Sequence, residues 1–222
     1  MSEEITNKVK KHLNNNMWYH GTVYSNWKNF CTNGILADYN KEFSNDLDFG
    51  YGFYLAPSKE RAESYILNMF KNTDFYEESD KPMILGFEFN PLKWFEGDEY
   101  NTKIFDKYND EFAIFVFENR TMNIKGNNQH NYDIIFGVMS DAVPTIEIQK
   151  YKMGISSKED VIEAFKKSTS MKQLSLHNQN ICNIIHLKEA YIIGKSDNRE
   201  ELDVNEYNKQ RFSWFCRKRT NE

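Results

Sequence analysis

An α+β fold is expected for this chain of 222 residues, and three observations carry that expectation. Strand-like and helix-like runs follow one another without the regular alternation that builds a doubly wound parallel sheet. No GxGxxG follows a strand, and no GxxxxGK[ST] occurs anywhere. The length suits one domain, and no stretch is long or biased enough to act as a linker. The expectation is one domain over residues 1–222, with a polar N-terminal helix (about 1–16) and a basic-aromatic C-terminal helix (about 199–218) as appendages.

The elements follow from local pattern. Residues 1–16 are polar and helix-like and close in three asparagines. Residues 17–20 read as a short buried strand. Ser25 is placed to cap a helix with Trp27, Phe30 and Cys31 on one face and Gly34 as its stop. Residues 38–47 read as polar loop and residues 51–56 as strand. Ser58 opens a helix to about Phe70, with Glu60 in its first turn and Ala62, Tyr65, Ile66 and Met69 as the apolar stripe. Residues 83–89 form a strand between Pro82 and Pro91. Residues 111–118, which contain FAIFVF, read as helix, although the same run suits a strand. Residues 126–131 are loop and 132–138 a buried strand. Ser157 with Asp160 resembles a capping box opening a helix to about Lys167. Residues 173–176 are strand, 180–187 a short helix, 190–194 the last strand, and 199–217 a terminal helix.

Composition narrows the function classes. Apolar residues make up 40% and charged residues 27%, as in soluble globular proteins. A net charge of −5 argues against a general nucleic-acid coat or a membrane-surface protein, whose affinity rests on positive charge. The exception is local: KQRFSWFCRKR, residues 209–219, interleaves aromatics with cations. Cys31, Cys182 and Cys216 show neither a disulfide framework nor metal-ligand spacing, so no metal is expected and the cytoplasm is the expected compartment. MSEEITNKVKKH has no apolar signal core, and no run approaches the roughly 20 apolar residues of a membrane span.

Two stretches carry the chemistry. In WYHGT, His20 ends an aromatic strand and offers one donor and one acceptor when neutral. Gly21 lets a flat ligand approach the backbone, and the backbone N–H and C=O there suit a carboxamide. Read alone, a histidine and a turn glycine serve structure in most proteins. In DFGYGFYLAPSKERAESY, Gly50 and Gly52 interrupt an aromatic strand and leave space above it. Tyr54 on that strand and Tyr65 on the next helix could sandwich an aromatic ring, each with a hydroxyl left for a polar partner. The competing reading is ordinary core packing.

Together, HGT, the aliphatic Ile35–Leu36 pair and FGYGFYLAPSKERAESY resemble the nicotinamide-binding half of poly(ADP-ribose) polymerase-type ADP-ribosyltransferases. DFGxGFY, Asn119–Arg120, Tyr132–Asp133 followed by Gly137 and Asp141, and Gln173-x-Ser175 resemble a bacterial domain-of-unknown-function family grouped with those enzymes. The resemblance runs from about Met17 to about Gly194. It implies a split mixed β-sheet core with flanking helices and cleavage of NAD between nicotinamide and ribose through an oxocarbenium-like transition state. It further implies that His20 bonds a ribose hydroxyl and that the Gly21 backbone holds the carboxamide. Thr22, Gly52 and Phe53 line the site, Tyr54 and Tyr65 stack on the ring, and Ser58 assists at the carboxamide. Gln173 stands where the family usually has glutamate; it accepts a hydrogen bond but carries no charge to oppose the cation. His20, Tyr54 and Gln173 are thus the implied catalytic set. Asp133 and Asp141 are candidate substitute carboxylates, and Arg120 is a candidate for the pyrophosphate, with a structural salt bridge as the alternative.

The implied function is NAD-dependent mono-ADP-ribosylation of a macromolecule, with protein favoured over nucleic acid as acceptor. Such a protein could be a bacterial or phage toxin, defence factor or host modifier, with a small antitoxin or regulatory protein as partner. The alternatives are an NAD glycohydrolase, with water as acceptor, and a catalytically inactive module that keeps the fold.

Overall fold

The computed structural model describes residues 5–41, 47–72, 80–122, 128–140, 144–167, 171–194, 198–205 and 207–208. The fold is α+β, as the sequence indicates, and its strands form two four-stranded sheets. The chain divides into two compact units. One comprises residues 1–36, 55–92 and 180–222; the other comprises residues 37–54 and 93–179.

The first unit holds an antiparallel sheet of β1 (Met17–Val23), β3 (Pro82–Glu88), β7 (His186–Ile193) and β8 (Arg199–Glu201), in that order. β3 reads PMILGFE and is buried along its centre, as befits an inner strand. Pro82 faces Val23 at the end of the ladder, where no N–H is needed. One face of the sheet packs against α3 (Lys59–Asn72) through Val23, Ala62, Ile66, Ile84 and Tyr191. α1 (Asn7–Leu13) buries Val9 and Leu13, and α2 (Trp27–Asn33) buries Trp27 and Cys31. Tyr207 is buried and stacks on Trp27 of α2.

The second unit holds a sheet ordered β2 (Phe53–Leu55), β6 (Lys172–Leu176), β5 (Ile134–Val138) and β4 (Thr102–Phe105). The last residue of β2, Leu55, already belongs to the first unit. β5 is antiparallel to β6 and parallel to β4. α5 (Asp110–Met122) packs on α6 (Pro144–Lys152) and α7 (Lys158–Phe165). A core of Phe49, Phe105, Phe112, Val116, Phe117, Ile135, Val138, Ile148, Val161 and Phe165 joins α5 to the strands and to both helices. α4 (Leu92–Glu96) and α8 (Gln179–Ile184) straddle two of the four chain boundaries of the division.

Several local expectations need correction. Ser25 does not cap α2: its N–H and hydroxyl donate to Asp80, a 3-10 turn intervenes, and the helix begins at Trp27. The short helix expected over 180–187 ends at Ile184, and the last strand begins at His186 rather than Ala190. Arg199 opens no helix. Residues Arg199–Glu201 pair with β7 as β8, because Tyr191, Ile192 and Ile193 offer an open strand edge there. The cationic run 209–219 lies outside the described residues, as do Asp141 and Cys216.

Candidate functional site

The outer edge of β1 is set by backbone parity. Tyr24 N–H donates to Lys81 and Phe89 N–H donates to Asn16, so even-numbered residues of β1 face β3. Met17, Tyr19, Gly21 and Val23 therefore turn their N–H and C=O groups to the opposite edge. At Met17 a primary carboxamide fills that pair: the Met17 N–H donates to Asn15 Oδ1 (3.3 Å), and Asn15 Nδ2 donates back to the Met17 carbonyl. At Tyr19 the backbone of Ala56 fills it, with bonds of 2.9 and 2.7 Å. At Gly21 the N–H and C=O have no hydrogen-bond partner among the described residues.

Gly21 is required for a packing reason. A Cβ there would lie 2.8 Å from the Ala62 carbonyl and 3.0 Å from Ile66 Cβ, so α3 crosses β1 at this residue. His20 and Thr22 point to the other face. His20 meets Phe30 edge-on at 6.0 Å, and Thr22 Oγ1 accepts from Asn26 Nδ2. On α3, Tyr65 is 46% exposed. Ser58 Oγ accepts from Arg61 N–H at the helix start, so this serine caps α3 as its position in the sequence suggests.

In the second unit, side chains rather than strand neighbours satisfy the DFGYG run. His130 Nε2 donates to the Phe49 carbonyl (2.8 Å), the Tyr54 hydroxyl to Gly50 (2.7 Å), and His177 Nδ1 to Tyr51 (2.6 Å). Asn128 grips both backbone groups of Tyr51, and Asn40 grips both of Gly52. This explains the glycines. Gly50 has φ of +76°, and a Cβ there would fall 2.0 Å from Asn128 Oδ1. A Cβ on Gly52 would fall 2.7 Å from His177 Nδ1. The tautomers follow from the partners. His177 carries its proton on Nδ1 and accepts from Ser175 Oγ on Nε2 (2.8 Å), while His130 accepts the Tyr132 N–H on Nδ1. Burial pushes the His130 imidazolium below its ordinary range. Burial, reinforced by His130 beside it, pushes His177 down to about 3.

Asp48 begins the same run and is buried with its charge. Arg120 donates to its Oδ1 through Nη2 (2.8 Å) and Nε (3.2 Å). Ser140 donates its N–H to Oδ2 (2.8 Å) and its hydroxyl to Oδ1. Gln173 Nε2 donates to Oδ2 (3.2 Å).

The implied site residues therefore fall into two groups. His20, Gly21, Thr22, Ser58 and Tyr65 belong to the first unit; Gly52, Phe53, Tyr54, Arg120, Asp133 and Gln173 belong to the second. Arg120 and Gln173 meet on Asp48, so the guanidinium forms a structural salt bridge. Phe53 is buried, and the Tyr54 ring stacks on Phe49 at 6.4 Å with its hydroxyl bound to the loop. Asp133 accepts from the Asn101 N–H and from Asn178 Nδ2, both at 2.8 Å, and so ties the start of β5 to two neighbouring turns. Sequence reasoning missed Asp48, Asn40, Asn128, Ser140 and both histidines. The available signals were the Asp that opens DFGYG and the His that closes QLSLH.

The model of the family described as a protein of unknown function, DUF3990, matches residues 37–187. The chain belongs to this family. The DUF3990 match spans all of the second unit and the middle of the first, and it begins after β1, so WYHGT lies outside it. A comparison with curated proteins returned no match. Among the described residues of this DUF3990 protein, no cluster of three or more His, Cys, Asp or Glu could hold a metal ion, and no helix is long and apolar enough to cross a membrane.

Proposed function

We propose that this DUF3990 protein is an NAD-dependent mono-ADP-ribosyltransferase acting on a macromolecule, with protein favoured as acceptor. The observation that carries the reading is the edge of β1. A backbone donor and acceptor at Gly21 are without a partner among the described residues, while the equivalent pair at Met17 already accommodates an asparagine carboxamide. Nicotinamide carries the same group. His20 precedes this pair, and Tyr65 is exposed on the helix that crosses Gly21. HGT followed by FGYGFY adds the resemblance to ADP-ribosyltransferases, from which come NAD as donor and the ribose-facing role of Gln173. A role as a toxin, defence or host-modifying factor with a small antitoxin belongs to the same proposal. Arg120 is left out of the proposed pyrophosphate contacts, since Asp48 engages it.

A second reading has one observation in its favour. Gln173 brings no charge of its own, which suits a non-catalytic module or a slow NAD glycohydrolase. Nicotinamide release from NAD by the purified chain decides between enzyme and module. Labelled NAD incubated with lysate then decides between transfer and hydrolysis: labelled macromolecule supports transfer, and free ADP-ribose alone supports hydrolysis. No nicotinamide release would overturn the enzyme reading.

A further inference from the structure

The amide of Gln173 is held in one orientation by chemistry alone. Carboxylate oxygens of an ion-paired aspartate only accept, so the Gln173 atom facing Asp48 Oδ2 is Nε2. Its other amide atom, Oε1, has no donor among the described residues, and it is not sealed from solvent. Asp48 is itself gripped by Arg120 from α5 and by Ser140 just after β5.

We infer that Asp48 is a positioning residue that turns Gln173 into an acceptor-only group, presenting Oε1 to a substrate hydroxyl. A free glutamine offers a donor and an acceptor almost interchangeably. With Nε2 tied, only the acceptor remains, which reproduces the hydrogen-bonding face of a glutamate without its charge. It also accounts for glutamine at this position: a glutamate would bring a second carboxylate against Asp48 in a buried place. That the hydroxyl belongs to the ribose of NAD rests on the function proposed above; the orientation of the amide does not.

Asp48→Asn tests the inference. Arg120 and the Ser140 hydroxyl hold the oxygen of the new amide at the Oδ1 place, so its NH2 takes the Oδ2 place, where it faces Gln173 at the cost of the Ser140 N–H bond, and the glutamine must invert, turning Nε2 outward. The double change Asp48→Asn with Gln173→Glu restores an outward acceptor and keeps the net charge. Two readouts are taken on the full chain: kcat and KM for nicotinamide release from NAD, and the nitrogen-15 side-chain amide resonance of Gln173, assigned by its loss in Gln173→Glu. In the wild type one Gln173 amide proton is expected to exchange slowly, and in Asp48→Asn it loses that protection. The single variant is expected to lower kcat roughly a hundredfold with little change in KM, and the double variant to regain most of it. A folded Asp48→Asn protein with wild-type kcat overturns the inference, as does a wild-type Gln173 amide that exchanges like an exposed glutamine. If Asp48→Asn fails to fold, the wild-type resonance decides. If the wild type releases no nicotinamide, the proposed enzymatic function fails while the resonance still tests the orientation.

Discussion

A carboxylate with 5% of its surface exposed survives in the folded state because every side that would have met water meets a donor instead. For Asp48 those donors come from residues 72, 92 and 125 positions along the chain, which is why a reading of local pattern passed over it. Gly21, by contrast, was legible as a place where a backbone is approached, though what approaches it in the structure is α3. Arg120→Ala leaves the Asp48 charge short of its strongest partner and is expected to cost about 3–5 kcal/mol in urea unfolding; a change under about 1 kcal/mol would refute the pairing as an anchor. Gly154 has φ of +71° and open space around it, so Gly154→Ala is expected to cost only about 1–2 kcal/mol. Gly50→Ala meets the same backbone cost and collides with Asn128 as well, so its loss is clearly larger. Equal losses would contradict the packing argument. The histidines add a pH dependence. His177 is neutral when folded and titrates near 3, while the unfolded chain takes up its proton near the ordinary histidine value of about 6.5. Stability is therefore full above about pH 6.5 and falls as pH drops toward 3, by an amount on the order of a few kcal/mol. The urea midpoint measured across that window should fall, and less steeply in His177→Gln.

Among the elements, legibility followed the strength of the local signal. The Ser157–Asp160 capping box is present in both directions, with Asp160 N–H donating to Ser157 Oγ and Ser157 N–H to Asp160. Ser157→Ala is expected to lower stability by about 1 kcal/mol in urea unfolding, and an unchanged midpoint would discount the cap. α5 was ambiguous because its inner residues are apolar around most of the helix, a consequence of packing against strands on one side and helices on another. α6 buries only Pro144 and Ile148, so it shows no apolar stripe; the remaining signal was a proline at its first position. α4 and β4, of five and four residues, are too short for either period to register. The crossing of α3 over β1 yields a sharper test. Gly21→Ala must push the helix away from the strand, and it is expected to destabilise the chain by more than about 1–3 kcal/mol, the ordinary cost of overpacking. A neutral result would show that α3 has room to yield.

At the scale of the molecule, neither compact unit is one continuous stretch of chain, and the composition and linker arguments that pointed to a single domain had no means of seeing this. The stretch matched by the family model, 37–187, carries β3 without β1 and with only His186 and Leu187 of β7. A fragment of those residues is expected to lack the first sheet and to be insoluble or poorly folded by circular dichroism; a monomeric fragment with a cooperative transition would contradict this. The order of synthesis gives the same interleaving a cost in time. β3 can zip onto β1 soon after it emerges, yet its other edge waits from Glu88 until His186 is made. At ~5–20 residues per second, that apolar edge stays open on the ribosome for roughly 5–20 s. During that interval a neighbouring nascent chain could pair with it, so output of correctly assembled protein should rise when translation is sparse or a chaperone shields the strand.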